Sequence, residues 1–258
     1  MSSATTPPAG GDTGRRVSAV LFDVDQTLTD YESSARAGII AHCAELGVPA
    51  ARLPAAAGLW SRLEHEHFPR YLAGELTFAD QRRHRALGMR RALGGRGPGD
   101  PDAWFAAYLV HYEASLALFG DVPGCLDALS GLTPDVTLGV ISNNDEDYTR
   151  TKLELTGIAD RFAITVGRDT YGAAKPSPVI FESTCAALGV SAAETVYVGD
   201  SLPFDAQGAT DAGLTGVWLD RSHGLPRFAR QISTLADLPG LLGLPDPGSD
   251  LKLAEGVG

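Results

Sequence analysis

Five short runs of apolar residues recur along the chain and predict the strands of a buried sheet. Each run is almost uninterrupted by charged residues and contains valine, isoleucine or leucine. Such runs are typical of strands covered on both faces, as in a parallel sheet, whereas half-exposed strands alternate apolar with polar residues. The five runs occupy residues 17–22, 136–141, 163–166, 195–198 and 216–219.

Helical patterns separate the later runs, and this alternation predicts an α/β fold. Residues 148–156 are followed by Gly157, while residues 178–188 begin with Pro178 and are followed by Gly189. Proline suits the first turn of a helix, and glycine suits the position just after its end. Strands that alternate with helices in this way predict a Rossmann-like parallel sheet sandwiched between helices.

A long segment without strands interrupts this alternation. Residues 31–119 carry helical patterns rich in alanine, leucine, arginine and glutamate. This predicts an all-helical lobe inserted after the first strand, with residues 16–30 and 120–244 forming the core domain. Residues 1–15 and 245–258 have few apolar side chains to bury, so we expect a disordered tail at one end and a flexible tail at the other.

Composition narrows the class of protein. The 258 residues are 44% hydrophobic, which is ordinary for a globular chain, and they carry a formal net charge of −11. That charge argues against nucleic acid as a partner, because phosphate backbones select basic surfaces. The three cysteines are widely spaced and odd in number, which favours a reducing compartment over a disulfide framework.

Neither a membrane span nor an export signal is predicted. No uncharged apolar run approaches the ~20 residues of a membrane-spanning helix. Arg15 and Arg16 precede a short apolar stretch, but this stretch ends at Asp23, whereas the apolar region of an export signal has ~7–15 residues. We therefore expect a cytoplasmic protein.

Residues that suit phosphate and metal chemistry follow four of the five apolar runs. In chain order they are Asp23 and Asp25, Ser142 and Asn143, Lys175, and Asp200 and Asp205. Ligands of an open parallel sheet bind at the carboxyl ends of its strands. We therefore expect these side chains to converge at one edge of the sheet.

Four carboxylates brought together need a compensating positive charge. Two unit charges 4 Å apart repel by ~4 kcal/mol at an effective dielectric constant near 20. A lysine together with a hard divalent cation, Mg²⁺ by preference, is the simplest way to balance such a cluster. Since a magnesium site leaves coordination positions for phosphate oxygens, the pattern predicts a Mg²⁺-dependent phosphoryl site.

The same residues form four ordered motifs. These are Asp-Val-Asp-Gln-Thr-Leu at residues 23–28, Ser142-Asn143, Lys175-Pro176, and Gly199-Asp200-Ser201 with Asp205. In their order, and in following predicted strands, they resemble the motifs of the haloacid dehalogenase superfamily. The resemblance covers roughly residues 17–30 and 120–222. The helical lobe matches, in position and length, the helical cap that this superfamily inserts between the first two motifs.

The resemblance implies a phosphatase that works through a covalent intermediate. Asp23 would be the nucleophile that forms an aspartyl-phosphate, and Asp25 would protonate the leaving oxygen and then activate water. Mg²⁺ would be held by the carboxylates of Asp23 and Asp200 and by the backbone carbonyl of Asp25.

The other motif residues would support these steps. Ser142, the N–H of Asn143 and Lys175 would bind the phosphoryl oxygens. Thr27 would belong to this phosphate-binding group and would help to position Asp25. Asp205 and Ser201 would lie behind the metal ligands, where Asp205 would either hold a metal-bound water or orient its neighbours.

Two features bear on the substrate. Gln26 stands where the superfamily often has glycine, which changes the loop that leads into the cap. Six of the eighteen arginines lie within residues 82–96. They form either a solvated helix face or a group of which one or two face the active site and select an anionic substrate. For the second interpretation we name Arg82 and Arg83.

The expected protein is a monomeric or homodimeric phosphatase of a small phosphorylated metabolite, with sugar phosphates, phosphoglycolate and nucleoside monophosphates all open as substrates. A haloacid dehalogenase shares the fold and nucleophile but does not need Asp25 as a leaving-group acid. A phosphomutase returns the phosphate to its substrate, and nothing in the sequence excludes it. A non-catalytic ligand-binding relative also stays open, although all four motifs are intact.

Overall fold

A sheet of parallel strands lies at the centre of the computed structural model, which describes residues 16–132, 136–222, 224 and 228–243. The strands are β1 Ala19–Phe22, β2 Thr137–Ile141, β3 Ile164–Val166, β4 Thr195–Gly199, β5 Thr215–Leu219 and β6 Gln231–Ile232. Their order across the sheet is β3-β2-β1-β4-β5-β6, and each neighbouring pair is parallel. This is the strand order of a Rossmann-like sheet, so the predicted fold class is confirmed.

In chain order, the α-helices of the described residues are α1 Tyr31–Glu45, α2 Leu53–Leu72, α3 Phe78–Ala92, α4 Pro101–Ala114, α5 Val122–Leu132, α6 Glu146–Leu155, α7 Pro178–Leu188, α8 Gly208–Asp211 and α9 Leu238–Leu241. Helices α5, α6 and α9 pack on one face of the sheet, and α7 and α8 pack on the other. A π-helical segment, Leu202–Gln207, leads from the end of β4 into α8. None of the described helices is long and apolar enough to cross a membrane.

The packing of β1 explains its continuous apolar run. Successive side chains of a strand point to opposite faces. Val20 and Phe22 pack in one core with residues of α5 and α6, whereas Leu21 packs in a second core with residues of α7. Because both faces are covered, every residue of β1 is fully buried, and the polar residues that follow it lie at the edge of the sheet.

Helices α1 to α4, which we call the helical lobe, have an apolar core of their own. Its largest fully buried side chains include Trp60, Trp104 and Tyr112, and no strand residue belongs to this cluster. The α3 helix begins with a capping box, in which the Thr77 hydroxyl accepts from the N–H of Asp80 and the Asp80 carboxylate accepts from the N–H of Thr77. This cap fixes where α3 starts and so sets the faces of the arginines that follow.

The two connections between the lobe and the sheet run side by side. Thr29 and Leu118 form an antiparallel bridge. On either side of it, the N–H of Asp30 donates to the carbonyl of Ala117 at 2.9 Å, and the N–H of Phe119 donates to the carbonyl of Leu28 at 3.0 Å. The chain therefore enters and leaves the lobe through one short two-stranded ribbon.

Some predictions of the domain plan stay predictions. The boundaries of the core and the lobe, the cytoplasmic location and the oligomeric state are among them. The expected tails at residues 1–15 and 245–258 lie outside the described residues. Strand β6 was not predicted, because its two residues are too short to give an apolar run.

Candidate active site

Three carboxylates converge at the carboxyl ends of the strands. Asp23 directly follows β1 and Asp200 directly follows β4, while Asp205 lies on the π-helical segment. The N–H of Asp23 extends the strand ladder by donating to the carbonyl of Val198 at 2.9 Å. One carboxylate oxygen from each aspartate lies within 4.8 Å of the others. The structure therefore brings together three of the carboxylates that the sequence analysis named, and their roles as nucleophile, metal ligand and supporting residue stay predictions.

Lys175 lies between two of these carboxylates. Its ammonium group is only 3% exposed and donates, at 2.7 Å each, to Oδ1 of Asp23, Oδ1 of Asp205 and the Tyr197 hydroxyl. Burial by itself would lower the pKa of Lys175, but the carboxylates of Asp205 and Asp23 outweigh that effect and hold the pKa above its ordinary value. Lys175 is therefore a permanent positive charge at the centre of the cluster.

Asp205 accepts hydrogen bonds from three neighbouring groups. Its Oδ1 accepts from Lys175 and from Tyr197, and its Oδ2 accepts from the N–H of Ser201 at 2.9 Å. The close approach of Asp205 to β4 requires glycine at position 199, since a Cβ there would lie 2.3 Å from Cγ of Asp205. Tyr197, which was not among the predicted site residues, completes this hydrogen-bond network.

The position of Thr27 corrects one expectation. Its hydroxyl donates to Oδ2 of Asp23 at 3.0 Å and accepts from the N–H of Asp200 at 3.1 Å, so it links two acidic residues and does not contact Asp25. Thr29 takes the expected place, because its hydroxyl donates to Oδ1 of Asp25 at 3.2 Å. The backbone turns sharply at Gln26, and strand alternation therefore no longer decides which side chains meet.

Gln26 itself has a left-handed backbone conformation, with φ at +62°. Residues other than glycine rarely adopt this conformation, because it brings Cβ close to the following carbonyl oxygen at a typical cost of ~1–2 kcal/mol. The Gln26 side chain provides compensation, since its Oε1 accepts from the N–H of Glu32 at 3.0 Å. This N–H lies in the first turn of α1, where backbone donors lack partners within the helix.

Asp25 is held on the side of the site that faces the lobe. The Lys152 ammonium donates to both of its carboxylate oxygens at 2.7 Å, and the Asn144 side-chain amide donates to Oδ2 at 2.7 Å. Lys152 lies on α6 and is 2% exposed. Neither Lys152 nor Asn144 was predicted to be a site residue. Together they balance the charge of Asp25 and fix its orientation.

The second motif supports the Lys175 backbone. The Asn143 side chain accepts from the N–H of Lys175 at 2.8 Å and donates to its carbonyl at 3.1 Å. Ser142 is 2% exposed and its hydroxyl accepts from the N–H of Asn144 at 3.1 Å. The binding of phosphoryl oxygens by Ser142, by the N–H of Asn143 and by Lys175 stays a prediction.

The electrostatics of the cluster fit a divalent cation. Burial raises the pKa of Asp23 to about 6, with the charge of Lys175 opposing the shift. Burial and then the charges of Asp23 and Asp205 raise the pKa of Asp200 to about 8. No described residue donates a hydrogen bond to the Asp200 carboxylate. Free carboxylate oxygens with unbalanced negative charge are suitable ligands for a hard cation such as Mg²⁺.

These shifts predict that Mg²⁺ stabilises the protein more at pH 8 than at pH 5. Carboxyls whose pKa is raised by folding favour the folded state below their unfolded pKa, and this contribution is lost as pH rises through the folded values of about 6 and 8. Mg²⁺ replaces the lost protons. At about 100 times its Kd, we expect a gain of about 2.7 kcal/mol, decreasing towards pH 5.

Thermal unfolding with millimolar MgCl₂ and with EDTA, followed across this pH range, measures the effect. Asp200→Asn is the matched control, because asparagine has almost the shape of aspartate but lacks the negative charge that would bind the cation. A Mg²⁺ effect that is the same at every pH, or that persists in Asp200→Asn, would contradict this cation site.

The two arginines named from the sequence lie on different faces of α3. Arg83 faces away from the site, where its guanidinium pairs with Asp102 at 2.8 Å and with Asp80 at 3.2 Å. The Arg82 guanidinium lies over the rings of Phe78 at 4.0 Å and Tyr148 at 4.6 Å. The expectation for Arg83 is therefore wrong. Successive residues of a helix differ by ~100° in direction, so neighbours cannot both face one site.

A cavity of about 610 Å³ connects Asp25 with the interior of the helical lobe. Asp25, Asn144 and Lys152 line it on the core side, and Arg82 lines it on the lobe side. Arg85, three residues after Arg82 and so on the same face of α3, also lines it. This spacing is the signal in the sequence that would have identified Arg85 as a cavity residue.

Known proteins are similar to this chain in sequence and in fold. Residues 17–213 match the family model of the haloacid dehalogenase-like hydrolases. The ribulose-1,5-bisphosphate 5-phosphatase of Halopiger xanaduensis is 32% identical over 218 residues, which are 80% of this chain and 85% of that protein. The glyceraldehyde 3-phosphate phosphatase of Methanopyrus kandleri is 33% identical over 208 residues, 80% of this chain and 84% of that protein.

A solved structure confirms the fold independently. The magnesium-bound crystal structure of the HAD-hydrolase YfnB from Bacillus subtilis matches with a TM-score of 0.76 at 19% identity, over 89% of this chain and 100% of that chain. The chain therefore belongs to the haloacid dehalogenase-like hydrolase family. It is an enzyme of the phosphatase branch of that family, as the sequence motifs predicted.

Proposed function

We propose that this hydrolase is a Mg²⁺-dependent phosphatase that releases inorganic phosphate from a small phosphorylated metabolite through an aspartyl-phosphate on Asp23. The observation that carries the proposal is the environment of Asp23. Lys175 donates to one of its oxygens and Thr27 to the other, and the unpaired carboxylate of Asp200 lies beside them. The two relatives described above are both phosphatases of small phosphorylated compounds.

In the first step the Asp23 carboxylate attacks phosphorus. A bond forms between an Asp23 oxygen and phosphorus, and the bond from phosphorus to the ester oxygen breaks. The leaving oxygen takes a proton from the protonated form of Asp25, so the ion pair with Lys152 has to open and Asp25 has to take up a proton before this step. The second step returns that proton to Asp25. The hydrogen bonds from Lys175 and Thr27 hold Asp23 in one orientation, so little freedom is lost when it reacts.

In the second step water releases the phosphate. Asp25 accepts a proton from water, the water oxygen attacks phosphorus, and the bond to Asp23 breaks and restores the carboxylate. The contacts of Asp25 in the structure suit this step, because Lys152 and Asn144 stabilise the carboxylate that acts as the base. Lys175, Ser142 and the N–H of Asn143 stabilise charge on the phosphoryl oxygens.

Mg²⁺ has a defined place in this scheme. The carboxylates of Asp23 and Asp200 and the backbone carbonyl of Asp25 would hold it, while Asp205 and Ser201 orient these ligands from behind. When bound, the cation supplies positive charge beside the phosphoryl oxygens. A dehalogenase would not need a second aspartate as leaving-group acid, so the network of hydrogen bonds around Asp25 favours the phosphatase.

Phosphate release from a panel of phosphorylated metabolites tests the proposal. We expect release with Mg²⁺, and a loss of about a hundredfold or more with EDTA, because the carboxylates then lack their counter-charge. No release from any compound, including the activated ester p-nitrophenyl phosphate, would contradict the proposal, and so would release that EDTA leaves unchanged. A phosphomutase would instead convert a substrate into its phosphorylated isomer without free phosphate.

A further inference from the structure

The cavity in the helical lobe begins where the leaving group of the proposed reaction would depart. Asp25, the proposed acid for the leaving oxygen, lines its inner end. Its volume of about 610 Å³ lies well within the range of ~300–1,000 Å³ found for small-molecule sites. The cavity therefore has room for a leaving group with several carbon atoms.

Arg82 differs from the other two cations that line the inner part of this cavity. Lys152 and Arg85 are buried and paired, since Lys152 contacts Asp25 at 2.7 Å and Arg85 contacts Glu64 at 3.3 Å. Arg82 is partly buried and is affected by the charge of Asp145, which pairs instead with the Tyr71 hydroxyl. No described residue accepts a hydrogen bond from the Arg82 guanidinium or forms an ion pair with it. Burial also lowers the pKa of Arg82, which means that an anion beside it would be stabilising. Arg36 lies at the mouth of the cavity, where it is exposed to solvent.

Aromatic rings fix the Arg82 guanidinium in place. Its central carbon lies over Phe78 at 4.0 Å, over Tyr148 at 4.6 Å and over Phe105 at 5.1 Å. The Lys152 ammonium lies 4.9 Å from the centre of the same Tyr148 ring. The rings cover the faces of the guanidinium, so an anion would bind to its N–H edge, as a planar fork of donors favours. One small molecule can thus span from Asp25 to Arg82.

Two residues that line the same cavity each have a buried polar atom without a hydrogen-bond partner among the described residues. These atoms are the Tyr112 hydroxyl and Oε1 of Gln81, and the two residues are 1% and 2% exposed. Unpartnered buried polar atoms are rare and point to a missing ligand or water. Ligand hydroxyl groups would satisfy both atoms, because a hydroxyl donates to Gln81 and either donates to or accepts from Tyr112.

We infer that the substrate is a phosphomonoester of a hydroxylated carbon chain that carries a second anionic group, either a carboxylate or another phosphate. Its phosphoester would lie at Asp23 and Asp25, its hydroxyls at Tyr112 and Gln81, and its second anion at Arg82. A phosphorylated sugar acid and a sugar bisphosphate both have this chemistry. The inference rests on the proposed phosphatase function and adds the class of leaving group.

Matched substrates isolate the second anion. 6-Phosphogluconate and glucitol 6-phosphate share one carbon chain and differ only in a terminal carboxylate or hydroxymethyl group, while glucitol 1,6-bisphosphate adds a phosphate at that end. 4-Phosphoerythronate and erythritol 4-phosphate give the same comparison in a shorter chain. We expect the carboxylate or the bisphosphate to have a kcat/KM about 10- to 100-fold above that of the neutral alcohol. The better of the two identifies the anion.

Two neighbouring arginines provide matched variants. Arg82→Gln should abolish the preference for the anionic substrate, mainly by raising its KM, while the neutral alcohol is little affected. Arg83→Gln should keep the preference, because Arg83 faces Asp102 and not the cavity. Equal kcat/KM for anionic and neutral members at both chain lengths would overturn the inference, and so would a preference that survives Arg82→Gln.

A binding measurement separates this inference from the proposed function. Calorimetric titration of Asp23→Asn with Mg²⁺ and the same compounds requires no turnover. Tighter binding of 6-phosphogluconate than of glucitol 6-phosphate, with no phosphate release by the wild type, would support the anion site and contradict the phosphatase. Phosphate release with equal binding and equal rates for the two compounds would support the phosphatase and contradict the anion site. The absence of both phosphate release and a binding preference would contradict both proposals.

Discussion

Replacing Asp23 with asparagine is expected to abolish phosphate release. The amide has almost the shape of the carboxylate but is a far weaker nucleophile, so the first step of the proposed reaction cannot occur. Removing a catalytic nucleophile typically lowers kcat by ~10⁴–10⁶-fold. The loss should appear with every substrate and at every Mg²⁺ concentration, because it affects the reacting atom and not the affinity for the substrate.

The measurement compares Asp23→Asn with Asp127→Asn. Asp127 undergoes the same chemical change at an exposed position, where it pairs only with Arg161 at 2.8 Å. Both variants should retain the circular dichroism of the wild type, and Asp127→Asn should retain its kcat. Activity of Asp23→Asn within tenfold of the wild type would show that another group attacks phosphorus.

Replacing Lys175 with methionine is expected to give the largest loss of stability. The side chains of Asp23 and Asp205 beside it are 10% and 2% exposed, so removing Lys175 leaves buried carboxylates without a counter-charge. Breaking a buried ion pair in this way costs ~3–5 kcal/mol. Activity should be lost as well, because Lys175 orients Asp23 and is proposed to bind the phosphoryl group.

Lys152→Met is the matched control for this prediction. Lys152 is as deeply buried as Lys175, but its partner Asp25 has a side chain that is 23% exposed and keeps the hydrogen bonds from Asn144 and Thr29. Water can therefore solvate Asp25 when Lys152 is removed. Urea unfolding, carried out with EDTA so that Mg²⁺ does not compensate, should show a clearly smaller loss for Lys152→Met. Equal losses of unfolding free energy in the two variants would contradict the prediction that Lys175 stabilises the protein more than Lys152 does.

The sequence was sufficient for five of the six strands and for the residues that follow β1 and β4. Strands β1 and β4 are continuous apolar runs because both of their faces are covered, and the residue directly after either strand lies where the strands of the sheet end. Asp23 and Asp200 thus follow from the pattern alone. Their partners follow from tertiary packing, which the pattern does not encode.

Lys152 shows what was missed and which signal was present. It lies in the last turn of α6, where basic residues are common and a helical pattern alone gives no reason to distinguish it from a solvated lysine. The chain, however, has only three lysines among 21 basic residues, at positions 152, 175 and 252. A chain that uses arginine almost everywhere for its positive charge and keeps lysine at two buried sites indicates that a compact ammonium group is needed there.

The two arginines of α3 show the limit of periodicity. The pattern predicts helices in this segment, but it does not show where α3 begins or which of its faces meets the core of the lobe. That choice depends on the packing of Trp60 and Phe105 in the lobe, which also place Arg85. This packing turns Arg82 towards the cavity and Arg83 towards the solvent.

The ribbon that joins Thr29 to Leu118 also has a consequence for the order of folding. Ala19 of β1 pairs with Thr137 of β2, and the whole lobe lies between them in the chain. If the lobe forms first and closes its ribbon, the loop that these strands must close becomes roughly fourfold shorter. At ~0.6 kcal/mol for each doubling of loop length, the entropic barrier to pairing falls by about 1 kcal/mol. The helical lobe separates β1 and β2 in the sequence, but once it has folded it thus brings the two strands closer together.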